Sequence, residues 1–181
     1  MGRRWGPDGP PADAYSRVTD PQRYAALGGV ADELLAELVR RYDVEVTDAP
    51  VSGLRDTSAV RVRPPSAASA DLVVVRTDSG VRLRAGRWAE QSFPSCGCDA
   101  CDEDVDDVAD ELRQFAADVV GGGLAEELTG GLSGGQLRTR RPMQYSSTSV
   151  TRAQVRELGP PGHHEWAAWP ERAATPQLPG D

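Results

Sequence analysis

Asp71-Leu72-Val73-Val74-Val75-Arg76-Thr77-Asp78-Ser79-Gly80-Val81-Arg82-Leu83-Arg84-Ala85-Gly86 is the stretch whose pattern decides the fold. Leu72 to Val75 is a continuous apolar run, the mark of a strand covered on both faces. Asp78-Ser79-Gly80 is a turn, and after it Val81, Leu83 and Ala85 alternate with Arg82, Arg84 and Gly86. Two strand patterns joined by a short glycine-containing loop predict a β-hairpin over residues 71–86. Upstream the period is again two: Val44 and Val46 alternate with Glu45 and Thr47, and Val60 and Val62 with Arg61 and Arg63. Pro64-Pro65 and the Ser/Ala run to Ala70 form the loop that leads into the hairpin.

Helical spacing brackets this strand region. From Pro21 to about Tyr42 the residues Tyr24, Leu27, Ala31, Leu34, Leu35, Leu38 and Tyr42 recur every three or four positions. Asp20 is a good N-cap and Pro21 suits the first helical position, so one helix is expected over 21–42. Gly28-Gly29 in its middle weakens it and suggests a close approach to another element. A second helix is expected over 103–120, with Val105, Val108, Leu112, Phe115, Ala116 and Val119 on one face. Its acidic start, Asp102 to Asp107, suits the positive end of the helix dipole. Gly121-Gly122-Gly123 ends it, and Leu124–Leu128 reads as a short amphipathic piece.

Beyond the loop Gly130–Gly135, residues 136–150 read as a second hairpin. Thr151 with Gln154 is a capping box, and Val150 with Val155 a hydrophobic staple, for a helix of two turns stopped at Gly159-Pro160-Pro161. The closing run His163 to Pro170 carries Trp166 and Trp169, which dock on the body of the protein. The whole predicts an α+β fold: an antiparallel sheet of about five strands, two main helices on one face and a short C-terminal helix. Residues 15–171 make up the one domain, flanked by unstructured tails over 1–14 and 172–181, where Gly, Pro and charge leave little to bury.

The basic residues are all arginine; lysine, isoleucine and asparagine are absent, as a GC-rich genome would produce. Without lysine there is no P-loop lysine, Schiff-base lysine or lysine general base. A net charge of −8 argues against non-specific binding to nucleic acid or an anionic membrane. No apolar run approaches the roughly 18 residues of a membrane span, and Arg3-Arg4 lack the apolar stretch of a signal peptide. Three cysteines, an odd number crowded together, do not form a secreted disulfide framework, which points to the cytoplasm.

Those cysteines stand in Cys96-Gly97-Cys98-Asp99-Ala100-Cys101-Asp102. Thiolates at C-x-C-x-x-C spacing can hold a soft or borderline metal, and zinc wants a fourth ligand. His163 and His164 are the natural candidates, with Asp99 or Asp102 as the oxygen alternative. Only one C-x-x-C knuckle is present, so the competing reading is a tight loop of small hydrophobes or a local bond such as Cys96–Cys101. A redox role for Cys98 and Cys101 before a helix is opposed by the neighbouring acidic run, which raises a thiol pKa.

The arginine alternation is the second feature. Arg61, Arg63, Arg82, Arg84, Arg138 and Arg140 all occupy the outward phase of their strands, which on one sheet would make a basic face able to grip the phosphates or carboxylates of a partner, an anion or nucleic-acid site as an alternative function. The competing reading is a solvated face paired with carboxylates. Leu132-Ser133-Gly134-Gly135-Gln136 matches the signature of ABC-transporter ATPases by letter only, because no P-loop lysine exists and a strand follows. No nucleophile, base and acid can be assembled, and the acidic cluster lacks the sixth-position glycine of a calcium loop.

Asp13-Ala14-Tyr15-Ser16-Arg17-Val18-Thr19-Asp20-Pro21, the block Cys96 to Asp102, and Gly162-His163-His164-Glu165-Trp166 together resemble an uncharacterised actinobacterial family, a domain of unknown function. The resemblance implies a lineage and a cytoplasmic setting and supplies no mechanism. The expectation is a small acidic domain that binds an unidentified protein partner, of an immunity or regulatory kind, without a cofactor unless the cysteines hold zinc.

Overall fold

The hairpin at the centre of the sequence is the centre of the first sheet. In the computed structural model, which describes residues 5–51 and 56–173, β3 (Leu72–Thr77) pairs with β4 (Gly80–Ala85) from Leu72↔Ala85 to Thr77↔Gly80. The sheet is an antiparallel meander in the order β1 (Glu45–Asp48), β2 (Asp56–Arg63), β3, β4 and β5 (Ala89–Phe93). β3 is covered on both faces, as its unbroken apolar run predicts: Leu72 and Val74 lie in the main core, while Val73 and Val75 pack with Ala49 and Ala59 on the other side.

α1 (Leu27–Arg41) and α2 (Val105–Val120) lie on the main-core face, against each other and against β4. Leu27, Ala31, Leu34 and Leu38 meet Val108, Leu112, Phe115 and Val119 over Val62, Val81, Leu83 and Phe93. Residues 21–42 are not one continuous helix. Pro21–Tyr24 is a 3-10 turn, capped by the Asp20 side chain on the Gln22 N–H, and α1 starts only at Leu27. The tight turn lets buried Tyr24 donate its hydroxyl to the Glu103 carbonyl at 3.1 Å. Gly28-Gly29 therefore sit in the first turn of α1, with open space around them, and mark no close approach.

A second sheet follows α2, in the order β8 (Gln144–Val150), β7 (Gly135–Arg141), β6 (Ala125–Leu128) and β9 (Gly162–Glu165), all antiparallel. The expected single sheet is thus joined by a smaller one. β6 is the stretch expected as a short amphipathic piece, and β9 turns part of the closing segment into a strand. α3 (Arg152–Leu158) carries the predicted capping box, with Thr151 accepting from the Gln154 N–H and Gln154 accepting from the Thr151 N–H. It lays Val155 and Leu158 over Trp88, Leu128 and Val150.

Glu126 of β6 joins the two sheets. It is 1% exposed, and its carboxylate accepts the backbone N–H groups of Arg87 (3.0 Å), Trp88 (2.7 Å) and Ala89 (2.6 Å) and the Trp166 indole N–H (2.7 Å). Gly86, at φ +58°, makes this possible: a Cβ there would stand 2.3 Å from a Glu126 oxygen. Gly122, at φ +75° past the end of α2, likewise admits the Ala168 backbone, which a Cβ would meet at 2.5 Å.

The chain ends are better anchored than their composition suggests. Residues 5–14, expected as tail, run against the cysteine loop, with Ala14 fully buried. Arg172 donates to the carbonyls of Val39 and Tyr42. Most of the expected C-terminal tail, 174–181, and the first four residues lie outside the described residues. Among the described residues no helix is long and apolar enough to cross a membrane.

Candidate functional site

The cysteine loop joins β5 to α2 and is held by side chains on every side. Asp99, 1% exposed, accepts the Thr19 N–H (2.9 Å), the Thr19 hydroxyl and Arg17 Nε (3.1 Å). Its own N–H donates to the Arg17 carbonyl, the Ala100 N–H donates to Ala14, and the Trp5 indole donates to the Asp99 carbonyl at 3.2 Å. From α1's side Arg23 reaches the Cys98 carbonyl (3.2 Å) and the Asp102 carboxylate (3.4 Å). From α2's side Glu103 accepts the N–H groups of Ser95 and Cys96 and the Ser95 hydroxyl. Asp102, the one described non-glycine residue at positive φ (+43°), makes the turn into α2.

So held, the loop brings its three sulfurs together. Cys96 Sγ lies 3.2 Å from Cys98 Sγ, Cys98 Sγ 3.4 Å from Cys101 Sγ, and all three lie within 4.8 Å of one another. None is disulfide-bonded. Cys98 is buried and its thiol is held below the usual range, first by the hydrogen bond from Cys96 and then by the backbone N–H groups of Cys101 and Ala100. Hydrogen bonds shared with the other two sulfurs, together with burial, push Cys101 up to about 12. Three sulfurs converging at this spacing are a donor set for a soft or borderline cation, and binding would displace their protons.

The expected fourth ligands are elsewhere. His163 and His164 lie on β9 in the second sheet, His163 beside Glu165 at 3.6 Å and His164 stacked on Trp166 and against Arg87 at 3.2 Å. Asp99 and Asp102 are engaged by Arg17, Thr19 and Arg23. Among the described residues, the group whose donor atoms converge is the three cysteines alone.

The six arginines separate as well. Arg61, Arg63, Arg82 and Arg84 share the outer face of the first sheet, while Arg138 and Arg140 are on β7 of the second. Arg61 and Arg63 both meet Asp71, Arg82 meets Asp56 at 2.5 Å, Arg138 meets Glu127 at 2.8 Å and Arg140 meets Glu165 at 3.8 Å. Among the described residues the Arg84 guanidinium has no partner, and its Nε is buried without an acceptor. Sequence reasoning missed Glu126 because nothing in Ala-Glu-Glu-Leu says which glutamate turns inward. It missed Trp5 and Thr19 because their partner is an aspartate some eighty or more residues away.

The fold and this loop define a two-sheet α+β domain with a clamped thiol triad. The chain belongs to the family of unknown function DUF6226, which it matches over residues 1–173. No curated protein and no solved structure matches it.

Proposed function

We propose that this chain is a non-enzymatic cytoplasmic domain in which Cys96, Cys98 and Cys101 hold one zinc ion, locking the N-terminal segment onto the body of the fold. The carrying observation is the convergence of three sulfurs in a loop whose backbone is already fixed. Zinc–sulfur bonds of about 2.3 Å in a tetrahedron place the sulfurs about 3.8 Å apart, close to the separations of 3.2 and 3.4 Å seen here. So short a spread suits one ion rather than a multi-metal cluster. The fourth donor comes from outside the described residues, as water or as a group of a partner. Zinc would supply charge and a cross-link, with Arg23 close enough to offset the excess negative charge of three thiolates. Free, closely spaced thiols fit a reducing compartment, and the lysine-free composition fits an actinobacterial source.

Elemental analysis of protein purified under reducing conditions tests this. About one zinc per chain is expected, lost in Cys98→Ser; less than about half an equivalent in the wild type refutes the site.

The protein partner is the second reading, and β8 favours it. The other edge strands are short and carry acid, Glu45 and Asp48 in β1, Glu90 in β5 and Glu165 in β9. β8 is a seven-residue edge, uncharged and exposed at six of its positions, without the devices that usually discourage strand addition. Ser147→Pro is expected to abolish recovery of the partner in cross-linking and pull-down while leaving the melting temperature nearly unchanged; undiminished recovery counts against β8.

A further inference from the structure

The orphaned guanidinium of Arg84 opens on a cavity of about 420 Å³ on the outer face of the first sheet. Val73, Trp88 and Leu158 give it apolar walls. The Trp88 indole is fixed by a hydrogen bond to the Leu158 carbonyl at 2.9 Å, so the wall is set by α3. The Arg84 side chain is half-buried, and its buried Nε–H without an acceptor is a costly and rare arrangement that calls for a ligand or a solvent partner. Two other guanidinium Nε atoms lack acceptors, on Arg23 and Arg82, but both side chains are held through their terminal nitrogens by carboxylates or carbonyls. Among the described residues Arg84 is held at none of its three.

The charge of the lining selects the ligand. Arg61, Arg84 and Arg87 face Asp71 and Glu90, three guanidinium groups against two carboxylates. Asp71 is already engaged by Arg61 at 3.1 Å, and Arg87 is turned toward His164 at 3.2 Å. Asp71 also meets Arg63 at 3.4 Å and Glu90 lies 3.9 Å from Arg82, so both lining carboxylates have cations beside them and Arg84 is left, among the described residues, as the guanidinium without a counter-ion. A planar fork of N–H donors beside an aromatic wall suits an oxyanion attached to an apolar body.

We propose that this cavity binds a small organic monocarboxylate, its carboxylate on the Arg84 guanidinium and its apolar part against Trp88, Leu158 and Val73. The site is separate from the cysteine loop and does not depend on metal.

Calorimetric titration of the full chain with benzoate tests it, with benzyl alcohol and inorganic phosphate as parallel arms. Benzoate should bind saturably at one per chain with a Kd of about 0.1–1 mM, benzyl alcohol not measurably, and phosphate more weakly than benzoate. Arg84→Met should weaken benzoate by at least about tenfold, and Arg84→Lys by less, since charge is kept and the fork lost. Arg113→Met, on α2 across the sheet from the cavity and paired with Asp110 and Glu33, should leave the affinity unchanged. The melting temperature of Arg84→Met should hold or rise, because an unsatisfied donor has been removed. No saturable benzoate binding, equal binding by the folded Arg84→Met protein, phosphate binding as tightly as benzoate, or a large fall in melting temperature would each overturn the proposal.

Discussion

Two glutamates adjacent in sequence have opposite fates. Glu127 is exposed enough for water to share its 2.8 Å contact with Arg138, and such surface pairs contribute between nothing and about 1 kcal/mol. Glu126 is sealed from water and accepts four N–H donors drawn from the β4–β5 turn and from Trp166. An isosteric amide would present an NH₂ to donors that need an acceptor, leaving at least one buried N–H unpaired. Glu126→Gln is therefore expected to cost about 2–3 kcal/mol, and Glu127→Gln less than about 1 kcal/mol. Urea midpoints of the two variants, at equal slope, measure the contrast; equal midpoints would mean that Glu126 does not join the sheets. The same residue shows where sequence reading stops. A buried carboxylate satisfied by distant backbone groups has no local signature, whereas Asp20 and Thr151 act on N–H groups two or three residues away and could be recognised as caps from the letters alone.

Elements were legible where their own side chains decide them. The β3–β4 hairpin follows from a continuous apolar run, a turn and a clean alternation, and α2 follows from one apolar stripe behind an acidic first turn. β5 was missed because Ala89-Glu90-Gln91-Ser92-Phe93 offers only Ala89 and Phe93 to the core. β9, Gly-His-His-Glu, has no apolar alternation at all and is a strand because β6 provides its partner. At the candidate site, the cysteine spacing gave the sulfur triad, while its clamps, which lie around Trp5, Arg17 and Thr19, required the fold. α3 is the element whose stability should follow its sequence signal most directly. It is two turns long with no fully buried residue, so its cap is a large share of what holds it. Thr151→Ala is expected to cost about 1 kcal/mol. Hydrogen exchange should show that loss concentrated in residues 152–158, with the first sheet unaffected; a uniform loss across the protein would contradict the local account.

At the scale of the whole molecule, the closing segment binds parts that the chain makes far apart. The Trp166 N–H donates to Leu124, the Ala167 N–H to Ala68, the Trp169 N–H to Val120, and the Arg172 N–H to Arg41. Trp169 is 4% exposed; its indole donates to the Ala70 carbonyl at 2.8 Å and its ring meets Tyr42 edge-on at 5.7 Å. The ring thus plugs the end of the main core where α1, the β2–β3 loop and the C-terminus of α2 converge. Its removal would leave a cavity and an unpaired carbonyl together, and Trp169→Ala is expected to cost about 3–5 kcal/mol, a large fraction of the roughly 5–15 kcal/mol that stabilises a typical domain. Because this segment and Glu126 tie the two sheets to one core, they should unfold together. Far-UV circular dichroism and tryptophan fluorescence are expected to give coincident urea transitions in the wild type and coincident, earlier ones in Trp169→Ala. A second-sheet transition separated from that of the helices would show that the four-stranded sheet folds independently and that the closing segment only lies upon it.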